Sequence, residues 1–201
     1  MLFVSFVVPN LKALRARYAI ASPMTAAASR RSSQGHALPV QAAIVVAGVV
    51  AMAAAGRFSI PIGPVPITLQ TYALFVLAGL FGGRLALVIV AAWLACGAFG
   101  LPVLADGAAG WRVIWGYSAG FFVGMAAAAY VCGQAAPKAK GWIALTALFV
   151  AGHAIVLAVG WGGLLATMSP RAAFDSGVLP FLPGAAAKSL AAALTVRLVS
   201  R

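Results

Sequence analysis

Long apolar runs, broken by short polar or proline-rich connections, set the pattern of this chain. Six such runs occur, at residues 38–56, 67–82, 84–100, 112–132, 141–164 and 179–198. Within them polar and apolar residues do not alternate in the two-residue rhythm of a membrane β-barrel. A continuous apolar run that must satisfy its own backbone in lipid forms a helix. The pattern therefore predicts an all-α integral membrane protein with six transmembrane helices. The second and third runs are shorter than the ~20 residues of an upright crossing, and tilt or shielding by neighbouring helices accommodates them.

Composition agrees with the pattern. The chain has 201 residues, 64% of them hydrophobic and 8% charged, whereas soluble domains carry about a quarter charged residues. It cannot cover its surface with polar groups, so a lipid bilayer is part of its solvent. A net charge of +12 raises the question of a nucleic-acid partner. The basic residues, however, are scattered between apolar runs with no aromatic-interleaved stripe. They sort instead by side. With the N-terminus inside, Lys12, Arg15, Arg17, Arg30, Arg31, Arg84, Lys138, Lys140, Arg197 and Arg201 fall on the cytoplasmic face. Only Arg57, Arg112 and Arg171 fall opposite, together with both acids, Asp106 and Asp175. This asymmetry predicts cytoplasmic N- and C-termini.

The connections differ in kind as well. The outer ones, "RFSIPIGPVP", "GLPVLADGAAGW" and "TMSPRAAFDSGVLPFLPG", are long and rich in proline, while the inner ones are curt. Binding residues gather on loops held by a rigid scaffold, which places a ligand pocket near the external face. Residues 1–37 stand apart as a basic N-terminal extension, disordered or amphipathic, with Met24 an alternative start; residues 38–201 form the six-helix membrane domain.

Few residues offer chemistry. Lys188, in "FLPGAAAKSLAAAL", has no carboxylate one turn away. A buried ammonium is costly unless paired or hydrated, and a ligand carboxylate would pair it. Asp106, in a glycine-rich loop, is either solvated or accepts from ligand N–H groups. Thr68 and Gln70 follow the rigid "PIGPVP" stretch, which pre-sets its own backbone and is expected to form a stiff hairpin or re-entrant edge beside the pocket. Five tryptophans lie near span ends, as interfacial anchors or ring-stacking surfaces. Cys96 and Cys132 lie in apolar runs without metal-ligand spacing, so no metal site is expected.

"GYSAG" (Gly116 to Gly120) matches the G-x-S-x-G pattern, and His153 lies in the following run. A Ser118–His153 pair would make an intramembrane serine hydrolase, but that elbow requires a strand-turn-helix setting absent from this chain. Gly116, Gly120 and Gly124 also keep a four-residue register, as do Ala43, Ala47, Ala51 and Ala55. Small-residue faces let membrane helices approach closely, either within the chain or against a partner. There is no G-x-x-x-x-G-K phosphate loop.

The segment "IPIGPVPITLQTYALFVLAGLFGGRLALVIVAAWLACGAFGLPVLADGAAG", with "LPGAAAK" opening the last run, resembles the BioY family. These are the biotin-specific substrate-binding (S) components of energy-coupling factor (ECF) transporters. The resemblance covers residues 38–200 and is carried mainly by "PVPITLQT", "GAFGLPV" and "LPGAAAK". It implies a six-helix bundle in the bacterial cytoplasmic membrane, with biotin as ligand and no cofactor. The implied partners are a transmembrane coupling protein and ABC-type ATPases, which alone consume ATP. With biotin as ligand, Thr68, Gln70, Asp106, Tyr117, Ser118 and Lys188 are the expected contacts, Asp106 on its own chemistry and not on the family pattern, and Ala43, Ala47 and Ala51 resemble the docking stripe for the coupling protein. The sequence departs from the family at Ala185, where many relatives carry Asp, and at "GYSAGF", where many read G-P-T-G-G-Y. Two other readings remain at this point: a self-sufficient, homo-oligomeric biotin transporter seamed along the glycine face, and an S component for another vitamin.

Overall fold

The computed structural model describes residues 26–200, with side chains from Leu38 onward. The extension expected over residues 1–37 thus lies outside the described residues up to Thr25, and the alternative start at Met24 with it. Residues 26–37 continue the first helix, α1 (Ala26–Arg57). A two-stranded hairpin follows, β1 (Ser59–Ile60) and β2 (Ile67–Thr68), paired antiparallel as Ser59↔Thr68 and Ile60↔Ile67. Its tip holds Pro61, Pro64 and Pro66, which lack a donor and fix φ, and turns at Gly63 (φ 66°). The expected stiff hairpin is present.

The remaining helices are α2 (Gln70–Phe81), α3 (Gly83–Ala98), α4 (Trp111–Ile114), α5 (Ala119–Ala135), α6 (Gly141–Leu164), α7 (Pro170–Gly177) and α8 (Leu182–Val199). Single 3₁₀ turns occupy Ala105–Gly107, Ala136–Lys138 and Leu179–Phe181. Proline begins several of these elements: Pro170 stands at the start of α7 behind Ser169, whose hydroxyl accepts from Ala172 N–H at 3.4 Å. At those positions the missing N–H has no helical acceptor to lose.

Four stretches are long and apolar enough to cross a bilayer: Leu38–Arg57, Ala119–Lys138, Gly141–Leu164 and Pro170–Val199. α2 and α3 are shorter apolar helices. The outward surface of the bundle is apolar, with Val46, Val123, Ile143 and Leu198 all exposed. The interior is aliphatic and aromatic, centred on Trp93, Phe75, Phe149, Met52, Leu74, Ile89, Leu104 and Leu164. Phe75 stacks on Phe149 with ring centroids 5.1 Å apart.

Three expected boundaries shift. The run 67–82 opens as strand and turns helical only at Gln70. The run 112–132 is broken at Trp115–Ser118, between α4 and α5. Gly116 makes that break, its N–H returning to the Val113 carbonyl at 3.3 Å in a tight turn. The run 179–198 becomes α-helical at Leu182, after the 3₁₀ turn that holds Pro180.

The two small-residue registers also part company. Gly116 lies outside the helix, so the expected three-glycine face does not exist. Gly120 and Gly124 pack within the chain against α6. A Cβ at Gly120 would sit 2.6 Å from the Val159 carbonyl oxygen, and one at Gly124 2.9 Å from the Val156 Cα. That face is consumed internally and cannot serve as an oligomer seam. On α1 the reverse holds. Its buried positions are Gly48, Met52 and Gly56, whereas Ala43 and Ala47 are exposed and Ala51 half-buried. Internal packing leaves the outer part of the alanine stripe free.

Candidate ligand-binding site

A cavity of about 320 Å³ opens at the end of the bundle that carries the long connections. This volume is in the range of small-molecule sites. The hairpin supplies Pro64, Val65, Pro66 and Thr68, and the first turn of α2 supplies Gln70 and Thr71. Leu104, Ala105 and Ala108 come from the loop after α3, and Arg112, Tyr117 and Ser118 from α4 and the break behind it. Helices α5, α6 and α8 close the walls with Phe121, Phe122, Met125, His153, Val156, Leu157, Ala185 and Lys188. No carboxylate is among the lining residues.

The hairpin positions two of the polar groups. The Thr68 hydroxyl accepts from the Gln70 backbone N–H at 3.3 Å and donates to Gln70 Oε1 at 3.1 Å. It thereby satisfies one of the donors that a helix start leaves open. Gln70 is 4% exposed, and its Nε2 has no hydrogen-bond partner. The amide is wedged against Gly56 of α1, where a Cβ would come within 2.5 Å of Nε2. A buried donor without an acceptor is costly, and Gln70 is among the residues that line the cavity.

Lys188 reaches across from α8 and donates from Nζ to the Thr68 carbonyl at 3.1 Å. That contact leaves two of its three donors. Arg112, exposed at the cavity margin, is a second cation that sequence reasoning left out of the site. Nothing in its pattern set it apart from the other loop arginines. Tyr117 is half exposed at the opening, and Phe121 stacks on Phe181 at 5.8 Å to form an aromatic wall.

Of the six contact residues expected from the sequence, Thr68, Gln70, Tyr117, Ser118 and Lys188 line one cavity. Asp106 does not join them. It is exposed, with φ 51°, in a tight turn completed by Gly107 (φ 76°). Arg57 lies beneath Gly107 and donates to the Pro102 carbonyl at 3.1 Å, tying this loop to the end of α1. Ala185, the departure noted in the sequence, lines the cavity as a small apolar wall.

Two further expectations are revised. Trp93 is wholly buried instead of interfacial; its indole N–H donates to the Val103 carbonyl at 2.7 Å and its ring meets Phe122 edge-on. His153 is not paired with Ser118. Its Nδ1 lies 2.8 Å from Ser189 Oγ and 3.2 Å from the Phe149 carbonyl, and its Nε2 lies 3.0 Å from Thr71 Oγ1. With both ring nitrogens engaged, and with Ser118 following a helical turn instead of a strand, the hydrolase arrangement is not formed. Thr71 and Ser189 were not singled out in the sequence, because lone hydroxyls in apolar runs carry no pattern. Among the described residues no cluster of metal-ligating side chains occurs.

Comparison with known proteins places this geometry. The chain is 38% identical over 102 residues to the biotin transporter BioY of Thermotoga maritima, covering 51% of this chain and 60% of that protein. It is 32% identical over 162 residues to the biotin transporter BioY of Rhodobacter capsulatus, covering 71% of this chain and 83% of the relative. A crystal structure at 2.1 Å of the S-component for biotin from an ECF-type ABC transporter superposes with a TM-score of 0.70 at 26% identity, covering 85% of this chain and 94% of that one. The model of the BioY family matches residues 24–201, and the chain belongs to the BioY family.

Proposed function

We propose that this chain is a biotin-binding S component that captures biotin outside the cell and mediates its uptake across the bacterial cytoplasmic membrane. The observation that carries this reading is the acid-free cavity holding an unpartnered Gln70 amide and the Lys188 ammonium between aromatic walls. Biotin presents a ureido head, an apolar bicycle and a carboxylate tail, and each has a counterpart there. Gln70 serves the ureido end, and Thr68 holds Lys188 through its backbone carbonyl at 3.1 Å. Phe121, Phe122 and Phe181 enclose the bicycle, and Lys188 meets the carboxylate, with Tyr117 and Ser118 at the opening. The names of the relatives support the same ligand.

In the proposed topology α1, α2, α3, α5, α6 and α8 all cross the membrane, both termini are cytoplasmic and the cavity faces outward. α2 and α3 have 12 and 16 residues, or about 18 and 24 Å of helix. They fall short of a ~30 Å hydrocarbon core, and the hairpin and the loop after α3 complete their thickness at the cavity end.

Binding alone cannot pump. A ligand shifts a conformational equilibrium only by its differential affinity for the two states, so energy must enter from elsewhere. In our reading it comes from partner ATPases through a transmembrane coupling protein that docks on the exposed alanines of α1. Titration of the purified protein with biotin tests the ligand, and absence of binding at micromolar concentration overturns it. Uptake measured with and without the ATPase partners tests the coupling. Uptake that survives their loss overturns the dependence.

A further inference from the structure

The exposure of Asp106 outside the cavity leaves the two ureido N–H donors of biotin without a carboxylate to receive them. We propose that Thr71 accepts one of these N–H groups and that His153 is its positioning residue. The inference rests on the biotin reading above.

Thr71 and His153 both line the cavity, and Thr71 Oγ1 lies 3.0 Å from His153 Nε2. A hydroxyl has one proton and two lone pairs. Whichever partner carries the proton of the Thr71–His153 bond, the threonine oxygen keeps at least one lone pair for a ligand N–H. The ring is fixed on every side. Nδ1 engages Ser189 Oγ at 2.8 Å and the Phe149 carbonyl at 3.2 Å, and Phe75 packs on its face with centroids 4.7 Å apart. Ser189 is fully buried and His153 is 4% exposed, so the chain of hydrogen bonds is anchored away from water. It joins α2, α6 and α8 through side chains alone. Thr71 is therefore presented from a braced support, in the same helical turn as the unpartnered Gln70 amide. One turn of α2 then carries a donor for the ureido carbonyl and an acceptor for an adjacent N–H.

The test is a titration of the full chain in detergent with biotin and with two analogues, each having one ureido N–H replaced by oxygen. Thr71→Val is expected to weaken biotin about ten- to a hundredfold, and Thr71→Ser to stay within about threefold. One of the analogues is expected to bind wild type and Thr71→Val equally. His153→Ala reproduces the loss, His153→Gln recovers part of it, and the double variant Thr71→Val/His153→Ala is no weaker than the weaker single one. Biotin shifts the His153 Nε2 resonance in wild type and leaves it unmoved in Thr71→Val. Wild-type affinity in Thr71→Val overturns the inference, as does equal loss for biotin and both analogues or full additivity of the two substitutions. Failure of wild type itself to bind biotin overturns the parent reading, and this inference with it.

Discussion

Lys188 Nζ on the last helix donates to the backbone carbonyl of Thr68 on the hairpin, 120 residues away in sequence, at 3.1 Å. One ammonium thus ties the wall of the cavity to the edge of its roof. The same residue is the cation we assign to the biotin carboxylate.

Replacing Lys188 by alanine is expected to weaken biotin by about 1.5–3 kcal/mol, the range of a charge-assisted hydrogen bond. Biotin amide, which carries no charge at that end, loses much less. Parallel titrations of the two ligands measure the difference. Equal losses would remove Lys188 from the carboxylate and leave it a purely structural tie to Thr68.

Gln70 separates stability from binding. Its Nε2 is buried without a partner, while its Oε1 accepts from the Thr68 hydroxyl, so leucine removes a desolvation penalty and a hydrogen bond together. The two effects offset, and Gln70→Leu should change the melting temperature of the empty protein little. Biotin affinity should fall by about 1–3 kcal/mol. Thermal unfolding and titration on one preparation read both, and a lowered melting temperature with intact affinity would reassign the amide to folding.

The α1 stripe calls for the opposite separation. Ala43 and Ala47 are exposed, so Ala47→Trp should fold and bind biotin within about twofold of wild type while abolishing ATPase-dependent uptake. Co-purification with the coupling protein reports the lost contact. Normal uptake by this variant would move the docking surface elsewhere.

Gly120 is a packing residue and should behave as one. A side chain there meets the Val159 carbonyl at 2.6 Å, and a backbone atom cannot swing aside. Gly120→Val is expected to destabilise the bundle by about 1–3 kcal/mol or more through overpacking. Thermal stability in detergent checks this. A stable variant with altered oligomeric state would restore the glycine face as an external seam.

Much of this architecture is written in the sequence, for a physical reason. Burial in lipid requires long apolar runs, and these are visible without knowledge of any contact. The proline stretch before Thr68 announces a rigid element because proline restricts its own φ locally, and the hairpin of Ser59–Ile60 with Ile67–Thr68 is that element. Lys188 stands out because an ammonium in an apolar run is costly wherever it points. Each of these signals depends on the residue and its near neighbours alone.

What remained hidden depends on which distant atoms meet. The registers Gly116–Gly120–Gly124 and Ala43–Ala47–Ala51 look alike as strings, yet Gly120 and Gly124 pack against α6, Gly116 falls in the break before α5, and the alanines largely face outward. Only the position of each helix among its neighbours decides that. The placements of Asp106 and Thr71 were hidden for the same reason. A charge in a glycine-rich loop draws notice, but its turn leaves it exposed. A threonine inside an apolar run draws none until His153, 82 residues on, is found 3.0 Å away. Run length and local chemistry were enough to read the class of the fold, the lipid surroundings and the end of the bundle where the cavity opens. Tertiary packing decided which polar atoms are left unsatisfied inside the cavity, because satisfaction of a buried group depends on the partners that folding brings to it.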